Sequence, residues 1–580
     1  MTYAQAPARQ RVRPRSFYKD PLNLGLPLLQ RLYAARGANA TLMDYALSAL
    51  SRADTLKGCV GAADVLAEAI AQGKRIVVVG DYDVDGATST ALCVLAIRAM
   101  GGNVDYFVPD RFVHGYGLSP SVVDVVAARC PDILLTVDNG IASLEGVAAA
   151  KARGMRVVIT DHHLAGARLP EADAIVNPNQ PGCDFPWKST AGVGVAFYVL
   201  AALRQSLKAI GWFNAQRLEP NLAAWLDLVA LGTVADVVPL EYNNRVLVSA
   251  GIKRIRSGQC RPGISALLNV AGRNPSRLVA SDLAFSVGPR LNAAGRLEDI
   301  SIGIECLLTD DPVQALRLAG QLDELNKARR EIEQDMREHA LQIVSTLMRR
   351  QEDCPVAFCL YDPEWHEGVL GIVASRVKEI YHRPVITFSR NESGELKGSG
   401  RSIPGLHMRD ALDEVATRNP GLLTRFGGHA MAAGLSLPPE NLDPFRLSFV
   451  EVVASRLAPE ALHSIVETDG ELGVDELTLP VAYAIAEGGP WGQGFPEPLF
   501  QGRFSVVSQR IVGEKHLKFR LRDVRSGREL EAIAFNADVR QSFAAGEMIH
   551  LVYRLDVNEY RGVTTLQLLI EQFSRTPFSD

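Results

Sequence analysis

The chain has 580 residues, of which 47% are hydrophobic and 22% are charged, and its formal net charge is −5 at pH 7. A single core does not grow to this size, so the length predicts roughly three or four domains. No apolar run approaches the roughly 18 residues that a membrane-spanning helix needs, and no membrane association is expected. The acidic net charge does not indicate a nucleic-acid-binding protein, so any such surface has to be local.

The cysteines and the N-terminus bear on the cellular setting. The eight cysteines are scattered and form no CxxC pair, so neither a thiolate zinc site nor a disulfide framework is supported. A reducing, cytoplasmic setting is expected. Arg9, Arg11, Arg13 and Arg15 have no apolar segment behind them, which is unlike a secretory signal. A short disordered basic tail is favoured over an organellar transit peptide, and we assign residues 1–45 to this tail and its lead-in.

Residues 46–300 are predicted to form the first domain. Short β-rich runs alternate there with helix-like stretches, and further helices are expected at 191–208 and 221–234. Apolar strands that alternate with helices are typical of a doubly wound parallel sheet, the α/β class. The five predicted strands are RIVVV at 75–79, VDYFV at 104–108, DILLTV at 132–137, MRVVIT at 155–160 and a short run that ends at Val176.

Three further parts follow along the chain. Residues 301–352 are predicted to be a connector, because 311–350 reads as one long charged helix, and residues 353–460 form a second α/β unit. Gly and Pro cluster at 487–498, and five strand-like runs follow within the last part, 461–580. Five strands in so short a segment favour a small barrel of the OB type, a frequent single-strand-binding module, over a β-sandwich.

Three aspartates leave the end of the first predicted strand. The stretch VVVGDYDVDG at 77–86 contains Asp81, Asp83 and Asp85. A calcium loop of the EF-hand type would need Glu at its twelfth position, which is Leu92 here, so that reading fails. An ordinary Asp/Gly turn remains the alternative for this stretch taken alone.

Other strands deliver acids or imidazoles to the same place. The third strand ends at Asp138, the fourth ends at Asp161-His162-His163, and Asp236 stands in the apolar stretch LVALGTVADVVPL. Because ligands bind beyond the carboxyl ends of parallel strands, we expect these groups to meet at one edge of the sheet. A set of carboxylates and imidazoles without thiolates suits Mg²⁺ or Mn²⁺, and its size indicates two ions.

The motifs VGDYDVDG, TVDNG, TDHH and GTVADVVPL resemble, in order and spacing, the four motifs of the DHH phosphoesterase family. GPRLNAAGR at 288–296 and FGGHAMAAGLSL at 426–437 resemble motifs downstream of that core, the second within the DHH-associated domain. With an OB-like C-terminus, the chain from about 40 to 575 is similar to the bacterial members of the family that degrade single-stranded DNA in the 5′→3′ direction to mononucleotides.

The resemblance implies roles for individual residues. Asp83 would bind the first metal, Asp85, His162 and Asp236 the second, and Asp138 would bridge both, while His163 would orient the scissile phosphate or a bound water. Several small members of the family carry a histidine where this chain has Val79. Asp81 is therefore expected to add to the first site, directly or through water, and Asp161 to support a histidine.

A DNA-binding surface is predicted from local charge. Residues 245–296 contain nine basic residues and one acid, Asp282, which indicates a phosphate-tracking surface or, alternatively, a face neutralised by the connector helix. Glycine-rich segments at 398–402 and 427–434 can bring backbone N–H groups to phosphate. The residues predicted to contact DNA are Arg111, Tyr116, Arg290, Arg296, Ser375, Arg401 and His429, and the three candidates for the 5′-phosphate are Arg111, Arg290 and Arg296.

The family implies a role in DNA repair and recombination, with a helicase and a single-strand-binding protein as partners, and we expect a monomer. Two other functions are alternatives for this sequence. A phosphodiesterase for short RNA or cyclic dinucleotides belongs to the same family, but such enzymes are shorter and lack the barrel. A non-catalytic DNA-binding scaffold should have lost metal ligands, whereas this chain keeps the acidic and histidine positions of all four motifs.

Overall fold

The computed structural model describes residues 11–15, 28–38, 42, 44–110, 117–349, 354–391, 393–560 and 562–578. Arg111 and Tyr116 lie outside these ranges, and so does Arg9. Within them, no helix has both the length and the apolar character that a membrane span requires.

The N-terminal basic segment is partly structured. Strand β1 (Arg11–Pro14) pairs in parallel with residues Ile465–Thr468, and helix α1 (Leu28–Ala34) follows. Val12 is buried in this pairing, while Arg11 and Arg13 face solvent. The predicted disordered tail is therefore wrong for β1, because its ladder bonds come from a strand more than 400 residues away, which local sequence does not reveal.

The first domain contains the predicted doubly wound sheet. All five strands are parallel, and their order is β3-β2-β4-β5-β6. The strand order reverses between β2 and β4, where an open crevice forms beyond the carboxyl ends of the strands. The elements are α2 (Cys59–Ala71), β2 (Arg75–Val79), α3 (Val84–Ala99), β3 (Asn103–Phe107), α4 (Pro120–Ala127), β4 (Ile133–Val137), α5 (Leu144–Ala152), β5 (Arg156–Thr160) and β6 (Ala174–Val176).

A helical layer completes this domain. Its helices are α6 (Gly192–Ala209), α7 (Leu226–Ala235), α8 (Tyr242–Arg256), α9 (Pro262–Val270), α10 (Ala280–Asp282), α11 (Gly288–Leu297) and α12 (Ser301–Leu308). The first two match the predicted helices, α8 to α11 overlap the segment predicted as a basic surface, and α12 lies in the predicted connector, 301–352. A five-residue π-helical turn, Leu283–Val287, leads into α11.

The predicted connector is one helix that belongs to two cores. Helix α13 (Pro312–Arg349) is 38 residues long. Its first half packs Leu318 and Leu322 into the core of the first domain. Its second half packs Met336 and Val344 into a core shared with the second domain. The two domains are therefore joined by packing along a continuous helix rather than by a free linker.

The second domain is a mixed α/β unit. Its sheet has the order β10-β11-β9-β8-β7, in which β7 and β8 are parallel and the other pairs are antiparallel. The elements are β7 (Phe358–Tyr361), α14 (Leu370–Tyr381), β8 (Val385–Arg390), β9 (Leu396–Arg401), α15 (Met408–Arg418), β10 (Arg425–Gly428), β11 (Ala432–Leu437) and α16 (Leu442–Arg456).

The C-terminal part is a closed five-stranded barrel, as predicted. Strand β12 (Ile465–Thr468) and helix α17 (Leu479–Glu487) precede β13 (Phe500–Val512), β14 (His516–Asp523), β15 (Glu529–Ala534), β16 (Met548–Tyr560) and β17 (Val563–Ser574). The barrel order is β13-β14-β15-β17-β16. Inward residues such as Phe519 and Leu521 alternate with exposed Arg520 and Arg522, which is the pattern of a side-chain-filled barrel. Leu32 of α1 also packs into this core.

The predicted basic surface at 245–296 is largely neutralised. Arg261, Arg273 and Arg277 form ion pairs with Asp310, Asp282 and Glu559 respectively. Arg245 is buried, with its guanidinium 4.2 Å from the ring centroid of Phe495. Arg261 and Arg290 pair with Asp310 and Asp323 of the predicted connector, as the alternative expects, whereas Asp282 and Glu559 lie outside that connector.

The C-terminal part is fixed to the N-terminal lead-in by a buried ion pair. Both Arg36 guanidinium nitrogens bind Asp469, at 2.8 and 2.9 Å, and both side chains are almost fully buried. Trp491 and Phe495, from the Gly/Pro-rich segment, stack against each other at 5.2 Å, and Tyr33 stacks on both rings. The Gly/Pro-rich segment is therefore a packed joint.

Asp469→Asn should destabilise the protein by about 3–5 kcal/mol, because it leaves the Arg36 charge buried without its counter-ion. The matched control is Glu467→Gln, which breaks the exposed pair with Arg13 at 2.7 Å and should cost less than about 1 kcal/mol. Urea unfolding of both variants measures the difference. Equal losses would show that the buried pair does not hold the barrel in place.

Candidate metal centre

The acidic and histidine motifs meet at the crevice where the strand order reverses. Asp81 and Asp83 follow β2, and Asp85 lies in the first turn of α3. Asp138 follows β4, His162 and His163 follow β5, and Asp236 ends α7. Parallel pairing of β2, β4 and β5 brings their carboxyl ends together, so groups from Asp81 to His163 share one site, and α7 adds Asp236.

Three groups of side chains place their ligand atoms within 4.8 Å of one another. They are Asp81, Asp83 and Asp138; Asp85, His162 and Asp236; and Asp138, His162 and His163. Asp138 thus connects a carboxylate group to an imidazole group. The arrangement brings together every residue predicted to bind metal, and it places Asp81 beside Asp83; the role of each as a ligand stays a prediction.

Asp138 occupies a strained and enclosed position. Its φ is +61°, a left-handed backbone conformation that non-glycine residues seldom adopt. Its Oδ1 is buried and accepts no hydrogen bond in the described part of the chain, although Nε2 of His162 lies 3.1 Å away. Gly192 at the start of α6 permits this packing, because a Cβ there would lie 2.8 Å from that oxygen. The fold therefore holds a carboxylate in place without satisfying it.

Asp85 and Asp236, the neighbouring acids, differ in their hydrogen bonds. Asp85 accepts hydrogen bonds from the backbone N–H groups of Gly192 and Val193, at 2.6 and 2.8 Å. Burial and the neighbouring Asp83 raise the pKa of Asp85 to about 7. Burial and Asp85 raise the pKa of Asp236 well above its ordinary value, and Oδ2 of Asp236 has no hydrogen-bond partner among the described residues.

These observations fit a pair of divalent cations. A buried carboxylate oxygen without a donor is costly, and a cation at that position would compensate both the lost hydration and the repulsion between acids. The donors are carboxylate oxygens and imidazole nitrogens, with no thiolate in the three groups, as Mg²⁺ and Mn²⁺ prefer.

Asp161 holds His163 in place. Its Oδ1 lies 2.7 Å from Nδ1 of His163 and also accepts the backbone N–H groups of His162 and His163. Although burial disfavours the charged ring, the hydrogen bond and charge of Asp161 raise the pKa of His163. The predicted supporting role of Asp161 agrees with this geometry. On the other side, the ring of His429 lies 5.9 Å from that of His163, so the second domain reaches over the centre.

Comparison with known proteins identifies the family. Residues 75–233 match the model of the DHH family, N-terminal domain, residues 352–455 match the DHHA1 domain, and residues 468–572 match the RecJ OB domain. The single-stranded-DNA-specific exonuclease RecJ of Dickeya dadantii is 54% identical over 548 residues, which are 94% of this chain and 95% of that protein. The chain belongs to the RecJ exonuclease family.

Two further RecJ proteins extend the match. RecJ of Escherichia coli is 52% identical over 549 residues, which are 94% of this chain and 95% of that protein. The crystal structure of RecJ from Thermus thermophilus in complex with Mn²⁺ superposes with a TM-score of 0.79 at 31% identity, and the alignment covers 98% of this chain and 80% of that one. The same protein in complex with Mg²⁺ gives a TM-score of 0.73, with 79% of that chain covered.

In this RecJ-family chain, helix α11 carries the motif GPRLNAAGR and packs against residues 81–85, which we call the metal loop. Asn292 Oδ1 accepts the backbone N–H of Val84 at 3.2 Å. A Cβ at Gly295 would lie 2.0 Å from the carbonyl oxygen of Tyr82, so only glycine allows α11 to approach this closely. The sequence analysis missed Asn292, because an amide that binds a distant backbone N–H leaves no local pattern.

Two of the predicted phosphate-binding residues have other partners. Arg290 is buried and binds Asp323 of α13 at 2.8 Å and the carbonyl of Ser286. Ser375 donates to the carbonyl of Gly371 within its own helix. These contacts occupy groups that a phosphate would need, and the predicted DNA contacts of both residues stay predictions.

Arg401 is placed differently. It is half-buried, and no carboxylate in the described part of the chain lies within 4.0 Å of it. Its Nη1 donates to Ser399 Oγ and to the carbonyl of Gly400, and burial lowers its pKa. It pairs across the sheet with Ala432, next to the turn that carries His429. A half-buried guanidinium without a carboxylate partner in the described ranges is a candidate anion site, and Ser399, which accepts a hydrogen bond from it, is a second member.

Asp138→Asn should have opposite effects on folding and on metal binding. Removing a buried charge that repels Asp85 and Asp236 should raise the melting temperature without metal by at least about 2 °C, since about 1 kcal/mol corresponds to a few degrees. The stabilisation by Mn²⁺ should be largely lost. Thermal melts with and without Mn²⁺ measure both, with exposed Asp184→Asn as the control. A variant that keeps the full Mn²⁺ stabilisation would remove Asp138 from the site.

Proposed function

We propose that this protein degrades single-stranded DNA from the 5′ end to mononucleotides, using two divalent ions, Mn²⁺ or Mg²⁺. The observation that carries the proposal is the sharing of Asp138 between a carboxylate group and an imidazole group at the crevice of the sheet. The substrate follows from the RecJ relatives, which are named as single-stranded-DNA-specific exonucleases and match 94% of the chain.

The residues of the centre fall into two groups, each of which could hold one ion. Asp81, Asp83 and Asp138 would hold the first ion, and Asp85, His162 and Asp236 the second, with Asp138 between them. When bound, such a pair of ions would activate a water molecule as the nucleophile and stabilise the negative charge on the leaving oxygen. The residues of the chain fix this arrangement before substrate arrives, which lowers the cost of reorganisation during the reaction.

His163 is proposed to orient the phosphate. The hydrogen bond from its Nδ1 to Asp161 fixes the ring and favours the protonated form, so the other nitrogen can donate to an anionic oxygen. Burial, and then the charge of His163, lower the pKa of His429, so that ring is favoured in its neutral form. The two rings lie side by side across the domain boundary, and a phosphodiester at their common edge would contact both domains.

The polarity is proposed to come from Arg401 and Ser399. A terminal 5′-phosphate carries more negative charge than an internal phosphodiester and accepts several charge-assisted bonds from a planar guanidinium. A Cβ at Gly371, in the first turn of α14, would lie 2.4 Å from Nη2 of Arg401, so glycine permits the guanidinium to lie against that helix start. Arg111 stays a prediction for the 5′-phosphate, and Tyr116 stays a prediction for a DNA contact; both lie outside the described residues.

Wider assignments are proposals of the same kind. We propose that the barrel holds the strand away from the centre and that the chain divides at about residues 45, 300, 352 and 460. A role in repair and recombination, cytoplasmic location, a monomeric state, and a helicase and a single-strand-binding protein as partners follow from the family. Comparing cleavage of single-stranded DNA, short RNA and cyclic dinucleotides, with Mn²⁺ supplied and then chelated, tests the proposed substrate against the other phosphodiesterase activities.

Asp236→Asn should lower the rate of cleavage of end-labelled single-stranded DNA by more than about 100-fold, since even a partner of a metal ligand is typically worth 10–100-fold. Binding of the same strand in chelator should be almost unchanged. Asp184→Asn is the control with an exposed carboxylate in the same domain. A variant that cuts at a tenth of the parent rate or better contradicts the role of Asp236.

Arg401→Ala should reduce the preference for 5′-phosphorylated over 5′-hydroxyl strands by about tenfold or more, the size expected for lost hydrogen bonds to a charged group. Arg401→Lys should restore it only in part, because lysine lacks the planar fork. Arg390→Ala, at the exposed end of β8, is the control. Rates on both substrates for each variant decide the matter: an unchanged preference in Arg401→Ala excludes this pocket.

A further inference from the structure

Side-chain hydrogen bonds cross the carboxyl edge of the parallel sheet, just beyond the ends of its strands. Among the described residues, the backbone bonds between β4, β5 and β6 end with those from the N–H groups of Asp138 and Asp161. These groups donate to the carbonyls of Thr160 and Val176, each at 3.0 Å. The acids and imidazoles that follow the strands therefore lie where the backbone no longer pairs with a neighbour, and other groups have to hold them.

Asn139 ties the ends of β2 and β4 together. Its Nδ2 donates to the carbonyl oxygens of Val79 and Val137, the last residues of the two strands, at 3.1 and 2.9 Å. One amide therefore sets the spacing between the strand ends that lead to Asp81 and to Asp138. Its bond to Val137 also spans Asp138, so it closes the turn that contains this left-handed residue.

The surroundings of Asn139 are not those of an ordinary turn residue. Asparagines are common in turns because their side chains bind their own nearby backbone. Asn139 makes one such bond, but its second bond reaches a strand 60 residues away, and its Oδ1 is buried without a hydrogen-bond partner among the described residues. A buried acceptor without a donor destabilises a fold. The residue is therefore better explained by the geometry that it fixes than by the turn.

Asn177 and Asn179 hold the backbone of the two histidines. Nδ2 of Asn177 donates to the carbonyl of His163 at 2.9 Å, and Nδ2 of Asn179 donates to the carbonyl of His162 at 2.6 Å. Oδ1 of Asn177 also accepts the N–H of Asn179, at 2.7 Å, which joins the two asparagines to each other. Because Asp161 accepts both histidine N–H groups, side chains satisfy every backbone polar group of the histidine pair.

Amides suit these positions for an electrostatic reason. The centre already collects several carboxylates, and a further buried negative charge would increase the repulsion among them. An amide donates two hydrogen bonds without carrying a charge, so it can fix a backbone carbonyl and leave the charge balance unchanged. Between the asparagines stands Asp161, whose Oδ2 accepts the N–H of Ile141 at 2.9 Å and so links the loop after β4 to the loop after β5.

We infer that Asn139 and Asn179 are positioning residues of the metal centre. Asn139 fixes Asp138 relative to Asp81, and with it the group that would hold the first ion. Asn179 fixes His162 in the group that would hold the second. Neither asparagine belongs to the three groups of ligand atoms, so each acts through another residue. The inference rests on the two-ion centre of the proposed function.

Asn139→Ala should weaken the binding of Mn²⁺ in the absence of DNA by about 10–100-fold, the range for loss of a group that orients a metal ligand. The electron paramagnetic resonance signal of free Mn²⁺ through a titration measures both the affinity and the number of ions. The matched control is Asn441→Ala in the second domain, whose amide likewise donates to two backbone carbonyls, at 3.2 and 3.1 Å. The control should bind Mn²⁺ as the parent does.

Asn179→Ala should weaken Mn²⁺ binding to a similar extent and should carry a second signature. Because His162 is proposed to supply a ring nitrogen, Mn²⁺ bound to the parent should show nitrogen modulation in its electron spin echo. Asn179→Ala should weaken this modulation, whereas Asn139→Ala should keep it. Asn179 is half-buried, so its truncation is the milder change, and this variant decides the inference if Asn139→Ala does not fold.

The parent and the control keep this inference apart from the proposed function. Lower Mn²⁺ affinity in a variant whose melting temperature in chelator matches that of Asn441→Ala supports the inference. If both asparagine variants bind Mn²⁺ no more weakly than Asn441→Ala, the inference is overturned and the proposed function stands. If the parent binds fewer than two Mn²⁺ ions, the two-ion centre of the proposed function fails, whereas the affinities of the variants still decide the role of the asparagines.

Discussion

The repulsion among buried aspartates is the constraint on which the rest of the first domain depends. Asp85 and Asp138 are buried and Asp236 is partly buried, and burial together with neighbouring acids raises the pKa of each. No chain would collect these groups in its interior for stability, because each unpaired charge costs several kcal/mol. Asp138 has a strained backbone and packs closely against Gly192. The surrounding strands and helices therefore have to compensate the free-energy cost of this arrangement.

The same constraint explains why the centre lies between layers rather than on a loop. Asp85 is held by the first amides of α6, whose partial positive charge favours a carboxylate, and the metal loop is braced by Asn292 of α11. Parallel strands fix one side of the crevice and the helical layer fixes the other. The second domain then places His429 beside His163, and Arg401 lies on a neighbouring strand of the same sheet.

The parts that sequence could predict are those that follow from local pattern and topology. The five strands of the barrel, helix α13 and the meeting of acids at the strand ends all come from periodicity and from the rule for parallel sheets. The failures share another cause, since they depend on partners distant in sequence. The ion pair of Arg290 with Asp323 was not predicted, and β1 was expected to be disordered although it pairs with residues 465–468.

Helix α13 imposes a length constraint that substitutions do not reveal. Because its first half lies in one hydrophobic core and its second half in another, the helix sets both the distance and the rotation between the two domains. Inserting one residue between Leu322 and Met336 would advance the second domain by about 1.5 Å and turn it by about 100° around the helix axis. His429 would then lose its contact with His163. Glu333 would lose its bond to Arg376 or to Arg329, depending on which side of Glu333 the insertion falls. The number of residues in this segment is therefore more tightly constrained than the identity of its exposed side chains.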